Sequence, residues 1–205
     1  MQKPARERIL DASHELMRTI GLARTTTKEI ARAADCSEAA LYKHFASKEE
    51  LFVAVLKERL PELGPLLHRL TADPGDRSVE ENLTEIARQA VHFYAESFPI
   101  AASLYAETRL KRRHDDSMRE MGTGPHTPIE GLDTYLRSER EAGRVSPGAD
   151  TFAAASLLLG ACAQRAFAYD STIGKEPPQP VDEFAAALAR TLLNGISRPA
   201  SDRSR

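Results

Sequence analysis

The chain is poor in residues that cross-link, bind metals or stack: two cysteines, no tryptophan and 6% aromatic side chains in 205 residues. Cys36 and Cys162 are too few for a disulfide framework and lack metal-ligand spacing, so a reducing, cytoplasmic compartment is expected. Long apolar runs are also missing. The longest, Phe152 to Ala163, is interrupted by Ser156 and falls short of the roughly 18 to 20 residues a bilayer span requires, so no membrane is expected as a partner. The N-terminal MQKPARERIL is charged and reads as helix, not as a signal peptide. The histidines at positions 14, 44, 68, 92, 114 and 126 are scattered without metal spacing. No nucleophile motif, phosphate-binding loop or dinucleotide fingerprint follows a strand-like segment, and Gly122-Thr123-Gly124 reads as a loop in a helical context. No catalytic residue, cofactor or metal ligand is therefore assigned, and an all-α enzyme stays only as an alternative.

Charge is unevenly divided. Residues 1–48 hold nine Lys/Arg against six Asp/Glu, a net of +3, while the remainder holds 19 against 24, a net of −5. A basic head on an acidic body suits a protein that offers one face to a polyanion and repels it elsewhere. With 41% hydrophobic residues the chain can build a real core, and its length allows one or two packed units.

Apolar residues recur at helical spacing throughout. Ile9, Ala12, Leu16 and Ile20 form a stripe over about residues 4–20, closed by Gly21. Thr26 with Glu29 fits a capping box that opens a second helix, with Ile30, Ala31 and Ala34 inward. Ser37 can cap a third, in which Leu41 and Phe45 point inward together. Ser47 with Glu50 opens a fourth, with Leu51, Phe52, Val55 and Leu56 on its buried side. Beyond Pro61 the pattern predicts helices over about 77–97, 100–119, 128–143, 149–169 and 181–196, with cap signals such as Ser78/Glu81 and Pro99, Gly143 and Gly195 as stops. Segments 121–128 and 173–180 combine glycine with proline and read as flexible loops, and the tail from 199 is expected to be disordered.

With Leu41 and Phe45 facing a core, the opposite side of the third helix presents Glu38, Ala39, Tyr42, Lys43 and His44, with Ala40 at its edge. Small side chains allow close approach to DNA and can touch a thymine methyl, while Lys43 and His44 can donate to guanine or phosphate. Glu38 is open between accepting from cytosine N4 and capping its own helix. Tyr42 can place its hydroxyl on a phosphate; Thr26, Thr27 and Lys28 stand at a helix N-terminus that favours one, and Lys48 can grip the backbone on the other side.

The order T-T-x-x-I-A-x-x-A, a turn, then S-x-x-x-L-Y-x-H-F-x-S-K-E-x-L resembles the N-terminal signature of the TetR (tetracycline repressor) family of bacterial transcriptional regulators. Thr26, Thr27, Ile30, Ala31, Ala34, Ser37, Leu41, Tyr42, His44, Phe45, Ser47, Lys48, Glu49 and Leu51 carry it. The resemblance implies an all-α homodimer: a three-helix helix-turn-helix head (1–48), and an antiparallel helical domain (49–198) that dimerises through a four-helix interface and commonly binds a small molecule. It also implies DNA contacts at Thr26, Thr27, Lys28, Ser37, Glu38, Ala39, Tyr42, Lys43, His44 and Lys48. Four positions depart from the family pattern. Asp35 stands for the usual turn glycine, Cys36 for a small aliphatic residue and so reads as core filler, and Ala39-Ala40 for a common Gly-Thr pair.

One head buries too little DNA for selective binding, whereas two about 34 to 36 Å apart read successive major grooves of a palindromic operator. The interface is expected from two helices. One presents Phe152, Ser156, Leu157, Gly160 and Gln164; the other presents Phe184, Leu188 and Leu192. An apolar effector pocket is expected among Phe93, Tyr94, Phe98, Leu104, Tyr105, Met118, Met121, Leu132, Tyr135, Leu136 and Phe167, with His92, Glu107 or Arg109 orienting the ligand. An effector that prefers a wider separation of the heads than DNA does would release the operator. A regulator with a collapsed pocket and no small-molecule effector is the other reading within the binding proteins.

Overall fold

A computed structural model describes residues 3–22, 24–60, 63–106, 108–120, 122, 124–169 and 175–196, with side chains except at 57, 103–106, 109, 110, 113 and 117. Among them every regular element is an α-helix: α1 (Ala5–Ile20), α2 (Thr27–Ala33), α3 (Glu38–His44), α4 (Lys48–Glu58), α5 (Leu63–Ala72), α6 (Val79–Ala106), α7 (Thr108–Glu120), α8 (Thr127–Glu141), α9 (Thr151–Ala168) and α10 (Val181–Asn194). The all-α expectation holds. The tail from 197, and residues 173 and 174 of the 173–180 loop, lie outside the described residues.

The cap signals act as their chemistry requires, except that at Ser47 the box is one-sided: its hydroxyl accepts from the Glu50 amide, while the Glu50 carboxylate accepts from the Ala46 amide at 2.6 Å. The Thr26 hydroxyl accepts from the Glu29 amide at 3.2 Å, and the Glu29 carboxylate accepts from the Thr26 amide at 2.9 Å. Ser78 and Glu81 form the same reciprocal pair, and Asp150 caps α9 through the Ala153 amide. Two expectations fail. Helix α5 is absent from the predicted set, and Gly64-Pro65 lies in its first turn. In a first helical turn, however, proline loses no intrahelical bond, and Leu63, Leu66, Leu67 and Leu70 bury one face at helical spacing. Pro99, expected to end a helix, lies inside α6. One missing N–H donor is outweighed there by burial, since the next residue, Ile100, is fully buried.

The chain forms two compact units, Met1–Glu62 with His92–Thr127, and Leu63–Val91 with Pro128–Arg205. The expected boundary at 48/49 runs in chain order, whereas the compact units interleave the chain. Helix α4 packs on α1, and its Leu51, Phe52 and Val55 share one core with Ile9, Leu10, Met17, Ile30, Leu41 and Phe45. Ion pairs seal the same seam. Arg59 of α4's C-cap bonds Glu7 and, at 2.9 Å, Asp11; Arg6 forks onto Glu58 at 2.8 and 2.6 Å. In the same unit His114 meets the edge of Phe52, with ring centroids 5.7 Å apart, and its burial pushes its pKa down.

The second unit buries Leu83, Ile86 and Ala87 of α6 with Leu132 and Tyr135 of α8, Leu158 and Cys162 of α9, and Ala185 and Ala189 of α10. Asn82 donates to the Tyr135 hydroxyl at 3.1 Å and to the Pro74 carbonyl at 3.2 Å. Burial pushes the Tyr135 hydroxyl up to about 12. Arg144 bonds Glu139, whose side chain is 1% exposed, at 2.5 Å. Cys162 donates to the Ala87 carbonyl and, desolvated, is pushed up to about 12, which makes it an inert core thiol.

The seam makes acid sensitivity predictable. Lys3, then Arg59, hold the Asp11 carboxyl below its ordinary value. A depressed folded pKa stabilises the fold above the unfolded value, and that contribution drains away as pH falls through the folded one. Asp11→Asn is expected to lower stability near neutral pH and to converge with wild type in acid, once pH has fallen through the lowered carboxyl pKa. Denaturant midpoints across that range measure it; parallel curves at every pH would contradict the assignment.

Candidate nucleic-acid interface

The candidate interface centres on a helix too short to stand alone. Two turns of α3 are held because Leu41 is fully buried and Phe45, its C-cap, is 2% exposed. Fixing those two turns the other side outward. Glu38, Ala39, Tyr42, Lys43 and His44 are exposed, Tyr42 at 49%, while Ala40 is half-buried with its amide on the Ser37 hydroxyl at 3.1 Å. The face inferred from spacing is thus a continuous outward surface. It carries two nitrogen-bearing side chains, one phenol and small residues that leave room for a groove wall.

Helix α2 reaches α3 through a tight turn. The Cys36 amide donates to the Ala31 carbonyl at 2.9 Å and the Asp35 amide to that of Arg32 at 3.3 Å, the paired bonds of a Schellman stop. Asp35 takes φ +51°, the only positive φ among the described non-glycine residues, so it occupies the left-handed position usually given to glycine. Cys36 is half-buried against the head core, as a filler residue would be. Arg8 of α1 donates to the Ala34 carbonyl at 3.0 Å and the Asp35 carbonyl at 3.1 Å. Helical spacing did not assign a role to Arg8, because its partners lie 26 and 27 residues away.

Several expected contact groups already have partners. The Thr26 hydroxyl donates to Glu29 at 2.8 Å, and that cap, through the Thr26 amide first and the hydroxyl second, holds the Glu29 carboxyl below its ordinary value. The Thr27 hydroxyl donates to Glu38 at 3.0 Å, linking the starts of α2 and α3. The Lys48 ammonium donates to the Leu22 carbonyl at 2.7 Å, closing the α1–α2 connection. Lys28 is exposed, and Arg32, one turn further along α2, is exposed on the same side and was not assigned from spacing.

On α9, Phe152 and Leu157 are 55% and 65% exposed, Gly160 and Gln164 are exposed and Ser156 is half-buried; Ala155, Leu158 and Cys162 line the opposite, buried side. On α10, Phe184, Leu188 and Leu192 are half-buried, and Arg165 stacks on the Phe184 ring at 4.7 Å. The expected effector set is divided between the two compact units. Phe93, Tyr94 and Phe98 form an aromatic row on α6, with centroids 5.3 and 5.5 Å apart, and Met118 is half-buried on α7. In the second unit Leu132, Tyr135 and Leu136 are packed in the core, whereas Phe167 is 67% exposed. Leu136 also lines a cleft of about 340 Å³ with Val79, Leu83 and Leu192. The side chains of Leu104, Tyr105 and Arg109, and all of Met121 and Glu107, lie outside the described residues.

Residues 9–55 match the model of the family described as bacterial regulatory proteins, tetR family. Over 148 residues, 72% of this chain and 72% of the relative, the sequence is 46% identical to the nucleoid occlusion factor SlmA of Marinobacter nauticus. It is 27% identical over 200 residues to the uncharacterized HTH-type transcriptional regulator YvkB of Bacillus subtilis, covering 95% of this chain and 98% of the relative. The fold is similar to that of the transcriptional regulator FadR of Bacillus subtilis, solved in complex with stearoyl-CoA. Its TM-score is 0.68 at 18% identity, over 93% of this chain and 99% of that one.

Two kinds of DNA contact are expected of the outward face. Tyr42→Phe is expected to weaken binding several-fold on every DNA sequence, as loss of a phosphate contact does. Lys43→Ala is expected to change base preference, with about 1 to 3 kcal/mol of discrimination lost at one base pair. Binding profiles over a randomised site measure both, and an unchanged profile for Lys43→Ala would reject its role in base reading.

Proposed function

As a member of the TetR family of bacterial regulatory proteins the chain is a DNA-binding transcriptional regulator, and we propose that it acts as a homodimeric repressor, released from a palindromic operator by a small, largely apolar effector. The observation that carries the reading is the outward face of α3, exposed as a block while Leu41 and Phe45 hold its other side. Lys43 and His44 are the base-reading candidates, with Glu38, Ala39 and Ala40 shaping the approach. Thr26, Thr27, Lys28, Ser37, Tyr42 and Lys48 serve the phosphates or hold the helices that do. Such a protein works where the DNA is, in the cytoplasm at the nucleoid.

The dimer reading is supported by α9, whose exposed side is apolar and small at Phe152, Leu157 and Gly160. For the effector, the support is the aromatic row of α6 and the likeness in fold to a regulator solved with stearoyl-CoA, a ligand with a long apolar chain. The core positions of Leu132 and Tyr135, and the 46% identity to a protein named for nucleoid occlusion, favour the second reading, a DNA binder without a small-molecule effector.

Selection of bound duplexes from a random pool, followed by titration with acyl-CoA esters of increasing chain length, tests the proposal. Enrichment of an inverted repeat and its release by one class of ester are the expected outcomes. Enrichment without release by any apolar ligand would leave the second reading standing, and failure to enrich any site would defeat both.

Gly160 isolates the dimer. Apart from its chain neighbours and the backbone of its own helix, a Cβ built there meets no atom of this protomer within 4 Å, and glycine inside a helix costs up to about 1 kcal/mol relative to alanine. Gly160→Leu is therefore expected to leave the isolated protomer at least as stable while shifting sedimentation from dimer toward monomer. A dimer of unchanged strength would place the interface elsewhere.

A further inference from the structure

We infer that Arg8 is a positioning residue for DNA reading: from α1 it clamps the α2–α3 turn and so fixes where the recognition helix sits. The inference rests on the regulator reading but adds to it a residue outside the DNA-facing surface.

The turn between α2 and α3 poses an accounting problem. The Schellman bonds satisfy the carbonyls of Ala31 and Arg32, but those of Ala34 and Asp35 follow the last helical residue and point away from the helix ladder. Arg8 supplies both missing donors, Nε to Ala34 at 3.0 Å and Nη2 to Asp35 at 3.1 Å. Its remaining arm, Nη1, donates to the Lys3 carbonyl at 3.2 Å, which ties the fork to the start of its own helix. One planar cation thus joins the N-terminal end of α1 to the two consecutive carbonyls that set the direction of the chain into α3.

Asp35 gives this clamp its purpose. At φ +51° it holds a backbone conformation that a residue with a Cβ rarely adopts, and glycine would hold it at no steric cost. A turn built on aspartate needs an external constraint that a turn built on glycine does not. The guanidinium bond to the Asp35 carbonyl is such a constraint, and a lysine at position 8 could not reproduce it, because an ammonium is a point donor without a fork.

The consequence for recognition is selective. Phosphate contacts tolerate small displacements, while reading a base edge with Lys43 or His44 requires the helix in register. Loosening the turn should therefore reduce specific binding more than general affinity.

The test uses the full chain, a duplex that wild type selects from a random pool, and a scrambled duplex of the same length. Arg8→Lys, which keeps the charge and most of the stem, is expected to lose about tenfold on the selected duplex and less than about twofold on the scrambled one, the size of two charge-assisted bonds partly replaced. Amide exchange at Asp35 and Cys36 is expected to quicken while protection within α1 is kept. Adding Asp35→Gly to Arg8→Lys is expected to restore most of the lost specific affinity, because glycine removes the strain that the clamp opposes. Equal losses on both duplexes would make Arg8 a phosphate contact instead, and unchanged exchange with unchanged specific affinity would overturn the inference. If wild type selects no duplex, the regulator reading fails, and the exchange rates still decide whether Arg8 holds the turn.

Discussion

The burial of Leu41 and Phe45 against α1 is the interaction on which the rest of the head depends. Seven residues cannot maintain a helix in water, since nucleation costs more than two turns of hydrogen bonds return. Removing those two side chains from water contributes on the order of several kcal/mol, and it also selects which face of α3 meets the solvent. Stability and recognition are therefore one choice at these positions. A residue that spoiled the packing at Leu41 would not merely loosen the head; it would rotate or melt the surface that carries Tyr42, Lys43 and His44.

Around that packing, short helices are bounded by polar caps instead of by length. Thr26 with Glu29, Ser37 through the Ala40 amide, and Ser47 through the Glu50 amide satisfy donors that would otherwise be left open at three successive starts. The α1–α4 ion pairs act differently. Arg59 and Arg6 reach Glu7, Asp11 and Glu58 on a partly exposed seam, where each pair contributes little alone but the group fixes the angle of α4 on α1. This network also consumes much of the head's charge. The net positive balance of residues 1–48 is thereby left to side chains such as Lys28, Arg32 and Lys43, which are exposed on α2 and α3.

Much of this was legible in the sequence because it is local. Capping boxes are written three residues apart, and the inward and outward faces of α3 follow from a period of 3.6. The departures from expectation share a cause: their partners are distant in the chain. Nothing near Thr27 in sequence announces its bond to Glu38, and nothing near Lys48 announces the Leu22 carbonyl. Arg8 belongs to the same class. The continuity of α6 through Pro99 could not be read either, because a local breaking rule was outweighed by burial at Ile100, a term set by the fold as a whole. Helix α5 is the exception, since the signal in its Leu63, Leu66, Leu67 and Leu70 spacing is local.

Helix α9 shows why composition alone misleads. Thr151–Ala168 is long and apolar enough to cross a bilayer by length and composition. A helix that spans a bilayer alone, however, must satisfy lipid around its circumference, whereas α9 is two-sided. Ala155, Leu158, Leu159 and Cys162 are buried in the second unit, and Arg165 is buried with its guanidinium on the Phe184 ring and the Gln179 carbonyl. Its outer side mixes Phe152 and Leu157 with Ser156, Gly160 and Gln164. Lipid chains gain nothing from an amide or from the groove at a glycine, while a second helix can enter that groove and answer the amide with its own. The sidedness of α9 therefore favours a protein surface over a membrane as its cover, and the twofold pairing proposed for this chain places an identical surface there.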